Sequence, residues 1–350
     1  MSQTSQANQY VGLDVSLKET SISVIDEADK TIWRGRFAST PDDIAAKLQT
    51  RAPHAVRIGL ECGQLSNWLY HGLKSKGLPV ICIDARHACA ALSLRINKTD
   101  ANDALGLAQL MRVGWSRETA VKGLDCRYVR WLLVVRQRLV HQITAQNNCV
   151  RGVIKGFGRL MPKALKRQFV PKIREAIASD AALTALIEPA LRALEAAMEQ
   201  LAVYDRAVMK QARDDETVRL LMTAPGVGPV VALASVTGVE DPARFSSSAS
   251  VGAYFGMTPG RYQSGEANLT RRVSKCGDGM VRGLLYEAAK VLLSRSCRPS
   301  ALKTWGQSLA RKTGSKKATM AAAVARKLAV SLHRMWTMRQ PFQWHPVEHL

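Results

Sequence analysis

Four acidic side chains stand where they could bind metal ions together. Asp14 follows the apolar run Tyr-Val-Gly-Leu, and Glu61 ends a predicted strand over 55–60, where a lone charge would be costly. Asp100 and Asp103 are three residues apart on a predicted helix, so both project from one face. Such carboxylates would hold Mg²⁺ or Mn²⁺, which can activate an attacking oxygen and stabilise a leaving one in phosphoryl transfer. Taken singly, Asp103 above all is also compatible with a solvated surface position.

A serine in a polar segment is the second candidate for chemistry. Ser264 precedes a glycine within residues 256–279, which are predicted to be a loop. A serine hydroxyl becomes a nucleophile when a base or a metal activates it and cations stabilise the developing charge. Serines are common in loops, and Ser274, Tyr254 and Tyr262 are alternatives in the same region. The cations near Ser264 in sequence are Arg261, Arg271, Arg272 and Lys275.

The positive charge of the chain is concentrated towards its C-terminus. The formal net charge is +22, and residues 261–340 carry 17 Lys/Arg against 3 Asp/Glu, whereas residues 1–110 carry 12 against 11. This excess indicates a polyanionic partner, and nucleic acid is the default. The alternative is a basic protein that binds polyanions without specificity. Further candidate phosphate contacts are Arg311, Lys312, Lys316 and Lys317.

A glycine pair lies between two predicted helices of the C-terminal half. Pro225-Gly226-Val-Gly228 has the pattern of a helix-hairpin-helix turn. Glycines let the backbone approach a phosphate closely, and the N–H groups at the start of the following helix face it. An ordinary helix–helix turn is the alternative, and the net charge favours contact of Gly226 and Gly228 with nucleic acid.

The elements that would position the acids alternate between strand and helix over residues 1–115. Predicted strands lie at 10–15, 21–25, 31–37, 55–60 and 80–83, and predicted helices at 41–48, 66–76, 85–94 and 100–111. Thr99 is the candidate N-cap of the last of these helices. Three strands before the first helix are typical of an α/β RNase H-like fold, in which the first and fourth strands are neighbours and the last helix packs across them. A generic doubly wound domain would not need this early meander.

The rest of the chain is predicted to be mainly α-helical. Residues 116–215 form a connector of long Ala/Leu-rich helices at 127–146 and 181–213, packed as a hairpin or coiled coil and interrupted at 152–171. Residues 216–340 form a mainly α-helical domain with the helix-hairpin-helix-like element, the loop at 256–279, and helices at 280–293, 300–311 and 316–336.

Composition restricts the compartment and the metal chemistry. The seven cysteines have no CxxC or Cys/His ligand spacing, so we expect reduced thiols in a cytosolic protein and no zinc site. The polar N-terminus does not look like a signal peptide, and no uncharged run has the length of a membrane span. We therefore expect a cytosolic protein without a membrane partner.

Short motifs occur in a fixed order along nearly the whole chain. In the first half they are Tyr10-Val-Gly-Leu-Asp14-Val-Ser, Glu61 after a strand, and Lys98-Thr-Asp100-Ala-Asn-Asp103-Ala104. In the second half they are Leu221-Met-Thr-Ala-Pro225-Gly226-Val-Gly228-Pro229, Phe245 with Ser247, Ala253-Tyr-Phe-Gly256-Met-Thr-Pro259, Gln263-Ser264-Gly265 and Ser274-Lys275-Cys-Gly277. Each motif is weak, but the ordered set resembles the DEDD transposases related to the Piv DNA invertase, a family of insertion-sequence recombinases.

The resemblance implies a RuvC-like domain, of the Holliday-junction-resolvase kind, in which Asp14, Glu61, Asp100 and Asp103 bind Mg²⁺. It also implies a second domain whose serine, Ser264 in this chain, attacks DNA and becomes covalently linked to it. Some members of the family are guided by a bridge RNA encoded in the element. A guide RNA is therefore an expected partner, beside the DNA of the element ends and of the target.

These observations predict a transposase that cleaves and exchanges DNA strands through bound Mg²⁺ and a phosphoserine–DNA intermediate. Two cleavages must be coordinated, so we expect a homo-oligomer, a dimer or a tetramer, joined through the helical connector. One departure from the family is Asp278, an acid in a basic segment where the family usually has Asn.

Two alternatives remain open. A RuvC-like junction resolvase or nuclease would use water, and Ser264 would be dispensable. A non-catalytic, basic nucleic-acid-binding protein on a degenerate nuclease scaffold is disfavoured by the acids at all four positions.

Overall fold

The computed structural model describes residues 7–93, 97–159, 168–265, 267–313 and 317–344. The chain divides into two compact units, Met1–Gly123 and Leu124–Leu350. Within the described stretches, no helix has both the length and the apolar character needed to cross a membrane.

The first unit is a five-stranded mixed sheet with helices on both faces. The strands have the order β3-β2-β1-β4-β5; β1, β2 and β3 are antiparallel neighbours, and β4 and β5 continue the sheet in parallel with β1. This is the arrangement predicted from the sequence. The elements are β1 (Gln9–Val15), β2 (Glu19–Ile25), β3 (Thr31–Ala38), α1 (Pro41–Arg51), β4 (Ala55–Glu61), α2 (Ser66–Lys74), β5 (Val80–Ile83), α3 (Ala85–Leu92) and α4 (Asp100–Val113).

The central strand β1 sends alternate side chains to opposite faces of the sheet. Val11 and Leu13 are fully buried in a core shared with α1 and α2, for example with Leu48 and Leu69. Residues 10, 12 and 14 therefore point to the other face, on which α4 packs. Helix α4 begins after Thr99, whose hydroxyl accepts a hydrogen bond from the N–H of residue 102, as the sequence predicts for an N-cap.

The first unit extends beyond the predicted boundary at residue 115. The N–H of Asp84 donates to the carbonyl of Arg117, and the N–H of Thr119 donates to that of Cys82. Val121 packs against the same core as β1 and β4. The first unit therefore continues past residue 115 along the edge strand β5, and no apolar pattern in the sequence is strong enough to show it.

The second unit is mainly helical. Its elements are α5 (Leu124–Gly156), α6 (Phe169–Ile177), α7 (Ala181–Asp214), α8 (Glu216–Leu221), α9 (Pro229–Val239), a 3-10 turn (Pro242–Arg244), α10 (Ser248–Tyr254), β6 (Pro259–Ser264), β7 (Ala267–Val273), α11 (Gly279–Leu293), α12 (Ala301–Thr313) and α13 (Lys317–Met338). Helix α9 is apolar on all sides and packs in the main core with α11 and α13.

The helices α5 and α7 form the long hairpin predicted for the connector. They run antiparallel, because Arg136 pairs with Asp205 at 2.6 Å and Arg159 pairs with Asp180 at 3.7 Å. The predicted interruption at 152–171 was wrong at both ends: α5 continues to Gly156 and α6 begins at Phe169. Gly152 is exposed on α5 and contacts nothing that would mark a turn, so its presence misled the prediction.

The predicted loop at 256–279 was also wrong. It contains the two-stranded antiparallel sheet of β6 and β7, in which Tyr262 pairs with Leu269 and Ser264 with Ala267. Its described side chains are mostly exposed, so no alternation of apolar and polar residues marks the strands in the sequence. The base of this hairpin is fixed by two backbone bonds, from Ser274 N–H to the carbonyl of Thr258 and from Lys275 N–H to that of Gly256.

Asp278 has a structural role in the second unit. Its carboxylate accepts hydrogen bonds from the N–H groups of Met280 and Val281 and caps α11. It also forms an ion pair with Arg130 of α5, with each side chain only 22% exposed. Asn and Asp are equally good N-caps, and Arg130 balances the extra charge, which explains why an acid is tolerated where the family usually has Asn.

This double role predicts a graded loss of stability. Asp278→Asn keeps the cap but leaves Arg130 without its ion pair, and should lower the free energy of unfolding by about 1–2 kcal/mol. Asp278→Ala removes the cap as well and should cost about 1 kcal/mol more. Denaturant titration of the two variants measures both steps; equal losses would show that the cap contributes nothing.

Candidate active site

Two of the four acids lie side by side on neighbouring strands. In the parallel pair of β1 and β4, Leu13 is in register with Leu60, so Asp14 and Glu61 are the next residues along each strand. Side chains at the same register of adjacent strands point to the same face. Both carboxylates are half-buried and lie at the carboxyl ends of their strands. The sequence placed both residues correctly because each ends an apolar run.

Two glycines allow α4 to carry the other two acids to this place. Gly12 and Gly59 are paired in register, each two residues before an acid. A Cβ on Gly12 would lie 2.0 Å from the carbonyl oxygen of Ala104, and one on Gly59 would lie 2.7 Å from Met111. Helix α4 therefore touches the sheet where side chains are absent, and its first turn, with Asp100 and Asp103, lies over the strand ends.

Burial, with the neighbouring negative charges, raises the pKa of two of the four acids. Burial raises the pKa of Asp14 from 3.8 to about 6, helped by the negative charges of Asp103, Asp100 and Glu61 and opposed by Lys98. Burial also raises the pKa of Glu61, where Lys98 opposes the shift and Asp103 adds to it. Each of the four carboxylates thus lies within electrostatic reach of Asp14.

Asp100 has a cationic partner of its own. Its Oδ2 lies 3.3 Å from Nη2 of Arg36 on β3, and both side chains are more than half exposed. Among the described side chains, no three His, Cys, Asp or Glu groups stand close enough to hold a metal ion in their present positions. The acids surround a site of high negative potential without forming a closed coordination sphere.

The donors and the space at this site suit a divalent cation. A cavity of about 340 Å³ opens beside Asp14 and Glu61 and is also lined by Ser16, Gly63 and Ser66. All four acids offer carboxylate oxygens, the ligands that Mg²⁺ and Mn²⁺ prefer. The raised pKa values of Asp14 and Glu61 also favour a cation at this site. A bound cation would offset the burial and the repulsion that favour protonation of these two acids.

Ser264 lies at the end of β6, exposed to solvent. The nearby cations are not all directed at it, because Nε of Arg261 donates to Oδ1 of Asn268 across the hairpin at 3.0 Å. Arg272 and Lys275 are exposed. The side chain of Arg271 lies outside the described part of the structure.

Comparison with known proteins gives the family of the chain. Residues 11–158 match the transposase family model for the DEDD transposases of IS110, and residues 218–305 match that of the Transposase IS116/IS110/IS902 family. The chain is 28% identical to the transposase for insertion sequence element IS1111A of Coxiella burnetii, over 90% of this chain and 86% of that protein. It is 26% identical to the transposase for insertion sequence element IS1328 of Yersinia enterocolitica, over 81% and 84% of the two chains.

The chain belongs to the DEDD transposases of the IS110 family. This transposase is therefore a DNA-cleaving and strand-transferring enzyme, and DNA is its partner. The family has an RNase H-like domain and depends on divalent metal ions. The mixed sheet of the first unit and the mostly helical second unit agree with this fold.

The glycines of the transposase's helix-hairpin-helix-like turn have different surroundings. A Cβ on Gly226 would lie 2.4 Å from the carbonyl oxygen of Ala288, so this glycine packs closely against α11. Gly226 is half-buried, and its contact with nucleic acid stays a prediction. Gly228 has nothing within 4 Å of its missing side chain and precedes the first residue of α9.

The C-terminal basic cluster lies at a helix–helix junction. Arg311 and Lys312 are exposed in the last turn of α12, and Lys317 is exposed at the start of α13. Lys316 lies outside the described residues. The three described cations remain candidates for phosphate contact.

Sequence reasoning missed two basic residues at the acids. Lys98 acts electrostatically on Asp14 and Glu61, and Arg36 pairs with Asp100. The signal for Lys98 was its place two residues before Asp100. Arg36 could be found only from the strand register, and the sequence does not show that register until the pairing of β1, β2 and β3 is known.

The close approach of α4 predicts the effect of one methyl group. Gly12→Ala should lower the free energy of unfolding by about 1–3 kcal/mol and abolish metal-dependent activity, because α4 must move away from β1. Gly152→Ala on α5 is the control, since its Cβ meets nothing and a helical alanine stabilises by up to about 1 kcal/mol. Thermal unfolding and a strand-transfer assay check both variants; wild-type behaviour of Gly12→Ala would exclude the proposed contact.

The raised pKa of Asp14 predicts that its charge opposes folding when no divalent ion is present. Because the folded pKa of about 6 exceeds 3.8, the folded protein holds this proton more tightly, and that contribution is lost as pH rises through about 6. At pH 7 in EDTA, Asp14→Asn should raise the free energy of unfolding by about 1–2 kcal/mol, allowing for solvent screening of a half-exposed group. The gain should vanish towards pH 4.

Millimolar Mg²⁺ should stabilise the wild type and leave Asp14→Asn nearly unchanged, reversing their order of stability. Glu199→Gln, on an exposed position of α7, is the charge control and should change stability by less than about 0.5 kcal/mol. Denaturant titration at pH 4 and pH 7 separates the effects. A less stable Asp14→Asn in EDTA at pH 7 would contradict the prediction.

Proposed function

We propose that this transposase exchanges DNA strands through Mg²⁺ bound by Asp14, Glu61, Asp100 and Asp103, with Ser264 as the nucleophile. The observation that carries the proposal is that two adjacent strand ends place Asp14 and Glu61 beside one cavity, with Asp100 and Asp103 of α4 within electrostatic reach of Asp14. The pKa of Asp14, raised by burial and then by the charges of Asp103, Asp100 and Glu61, supports a cation-binding role for the same group.

The two pairs of acids have different roles in the proposed site, because one pair lies on the sheet and the other on α4. Asp14 and Glu61 are fixed by the sheet and would define one side of the ion site, whereas Asp100 and Asp103 lie on α4 and can adjust with its first turn. When bound, Mg²⁺ would supply stabilisation of the negative charge that develops on the scissile phosphate. Lys98 offsets part of the negative charge around Asp14 and Glu61.

In the proposed reaction the Oγ of Ser264 attacks the scissile phosphorus. One Oγ–P bond forms, one P–O bond of the DNA strand breaks, and the proton of the serine hydroxyl passes to the departing strand oxygen through solvent. A second DNA end then reverses the step, which releases the serine and conserves the phosphodiester bond. The exposed position of Ser264 at the end of β6 leaves its hydroxyl accessible to a large substrate.

We propose two further partners. The excess of basic residues after residue 260 and the exposed cations Arg272, Lys275, Arg311, Lys312 and Lys317 support contact with DNA and with a guide RNA. An exposed apolar stripe of Leu124, Tyr128 and Trp131 at helical spacing on α5 supports assembly into a dimer or tetramer through the α5–α7 hairpin. We place the reaction in the bacterial cytosol.

A second candidate is hydrolysis by water, as in RuvC-like nucleases. The cavity beside Asp14 and Glu61 has room for water molecules as well as ions. In that reaction the four acids keep their tasks and Ser264 has none. The two reactions therefore differ in their requirement for the serine.

An excision assay separates the candidates. The gene is introduced with its native flanking DNA into a host cell, and excised circles are detected by PCR for wild type, Asp14→Ala, Ser264→Ala and Ser274→Ala. Serine catalysis predicts loss of product, by at least about 100-fold, for Asp14→Ala and Ser264→Ala, and retention for Ser274→Ala.

A covalent protein–DNA adduct should then be trapped with wild type and be absent with Ser264→Ala. Loss in Asp14→Ala together with full activity of Ser264→Ala would exclude the serine as nucleophile and establish the water reaction. Retention of activity in Asp14→Ala would overturn the proposed metal site.

A further inference from the structure

A polar row crosses the sheet of the first unit at the level of the acids. Asp14 of β1 is in register with Ser21 of β2, and Ser21 is in register with Arg36 of β3. Glu61 continues the row on the other side of Asp14. Directly paired residues of adjacent strands point to the same face, so all four side chains lie along one line. The row has two carboxylates at one end and a guanidinium at the other.

The guanidinium is held by the carboxylate that α4 brings to this row. Nη2 of Arg36 lies 3.3 Å from Oδ2 of Asp100, with side-chain exposures of 57% and 63%. Among the ion pairs between described side chains, this is the one that includes one of the four acids. Exposed ion pairs are weak and are screened by salt, so a competing ion can displace this one readily.

We infer that Arg36 exchanges the carboxylate of Asp100 for a phosphate of the DNA strand when Mg²⁺ occupies the acid site, and so positions that strand. The inference rests on the proposed function of the four acids. A divalent ion attracts Asp100 more strongly than a single guanidinium charge does. The guanidinium then becomes available, and its planar array of N–H donors matches two phosphate oxygens at once.

The spacing of the row determines which phosphate Arg36 contacts. Adjacent strands are about 4.8 Å apart, so the backbones at Arg36 and Asp14 are separated by roughly 10 Å. Phosphates of one strand in a duplex follow each other at about 3.4 Å along the axis. Arg36 therefore holds a phosphate a few nucleotides away from the one at the metal ions. It is a positioning residue and does not take part in bond cleavage.

The chain offers a matched control on the same strand. Arg34 is also exposed on β3, is two residues away, and points to the same face as Arg36. It is in register with Ser23, next to Gly12, and not with the row of acids. Its described hydrogen bond, at 3.4 Å, goes to the hydroxyl of Thr31. Arg34→Ala therefore removes the same charge without releasing Asp100.

Two measurements on the full chain test the inference. The first is the apparent affinity for Mg²⁺, from its effect on thermal unfolding, for wild type, Asp14→Asn, Arg34→Ala, Arg36→Ala and Arg36→Gln. The second is the binding of labelled duplex DNA, carrying the native flanking sequence of the gene, in Ca²⁺ at several salt concentrations. Arg36→Gln keeps a polar side chain of similar length in case the alanine variant is poorly folded.

We expect changes in opposite directions. Arg36→Ala and Arg36→Gln should bind Mg²⁺ about 2–5-fold more tightly, because Asp100 is released. The same variants should bind DNA about 5–10-fold more weakly, with a salt dependence reduced by the equivalent of about one phosphate contact. Arg34→Ala should leave the Mg²⁺ affinity within about two-fold of wild type. If Arg36 had only a structural role, its variants would bind both Mg²⁺ and DNA more weakly than wild type.

The outcomes separate this inference from the proposed function. If Mg²⁺ stabilises the wild type no more than Asp14→Asn, the proposed metal site fails and the inference fails with it. If that site holds but Arg36→Ala and Arg36→Gln bind Mg²⁺ and DNA as Arg34→Ala does, only the exchange at Arg36 is overturned.

Discussion

The acid site depends on the close packing of α4 on two paired glycines, in which the backbone of Ala104 lies over Gly12 of β1 and the side chain of Met111 lies over Gly59 of β4. Two acids belong to the sheet and two to the helix, so their meeting requires the helix to approach the strands within the width of a missing side chain. Gly12 and Gly59 provide that approach beside the two strand ends. A side chain on Gly12 would meet the backbone of α4 and push the helix, with its two acids, away from the strand ends, whereas one on Gly59 would meet the flexible side chain of Met111.

This arrangement works against the folding of the unit that contains it. The face of β1 that carries Asp14 gathers like charges, and the opposite face carries Val11 and Leu13 in a fully buried core. Apolar burial on one face therefore compensates for electrostatic repulsion on the other. The alternation of the strand separates the two effects, so the charged face can be shaped for ligands while the apolar face maintains the sheet.

The first unit was predictable from the sequence because its buried strands have clear apolar patterns and its acids interrupt them. Asp14 and Glu61 could be placed at strand ends, and Thr99 could be identified as the cap of α4. The strands β6 and β7 could not be predicted, since a mostly exposed hairpin has no buried face to impose a pattern. The packing of Gly226 against α11 could not be predicted either, because a glycine that permits helix packing and one that admits a phosphate look the same in a sequence.

The ion pair of Arg36 with Asp100 could not be predicted for a different reason. It joins β3 to α4, 64 residues apart in the chain, and depends on the exact register of three strands. Asp278 was recognised as unusual, but its partner Arg130 lies 148 residues away on α5. Pairings between distant elements follow from packing, which local patterns do not encode.

The hairpin that carries Ser264 has a consequence for the timing of the reaction. A hairpin whose described side chains are mostly exposed is at best marginally stable, and its base is closed by the backbone hydrogen bonds from Ser274 to Thr258 and from Lys275 to Gly256. We proposed Ser264, at the end of β6, as the nucleophile, and a DNA strand bound to this exposed hairpin would order its support. The entropy of that ordering would then add to the barrier on DNA that does not fit the hairpin.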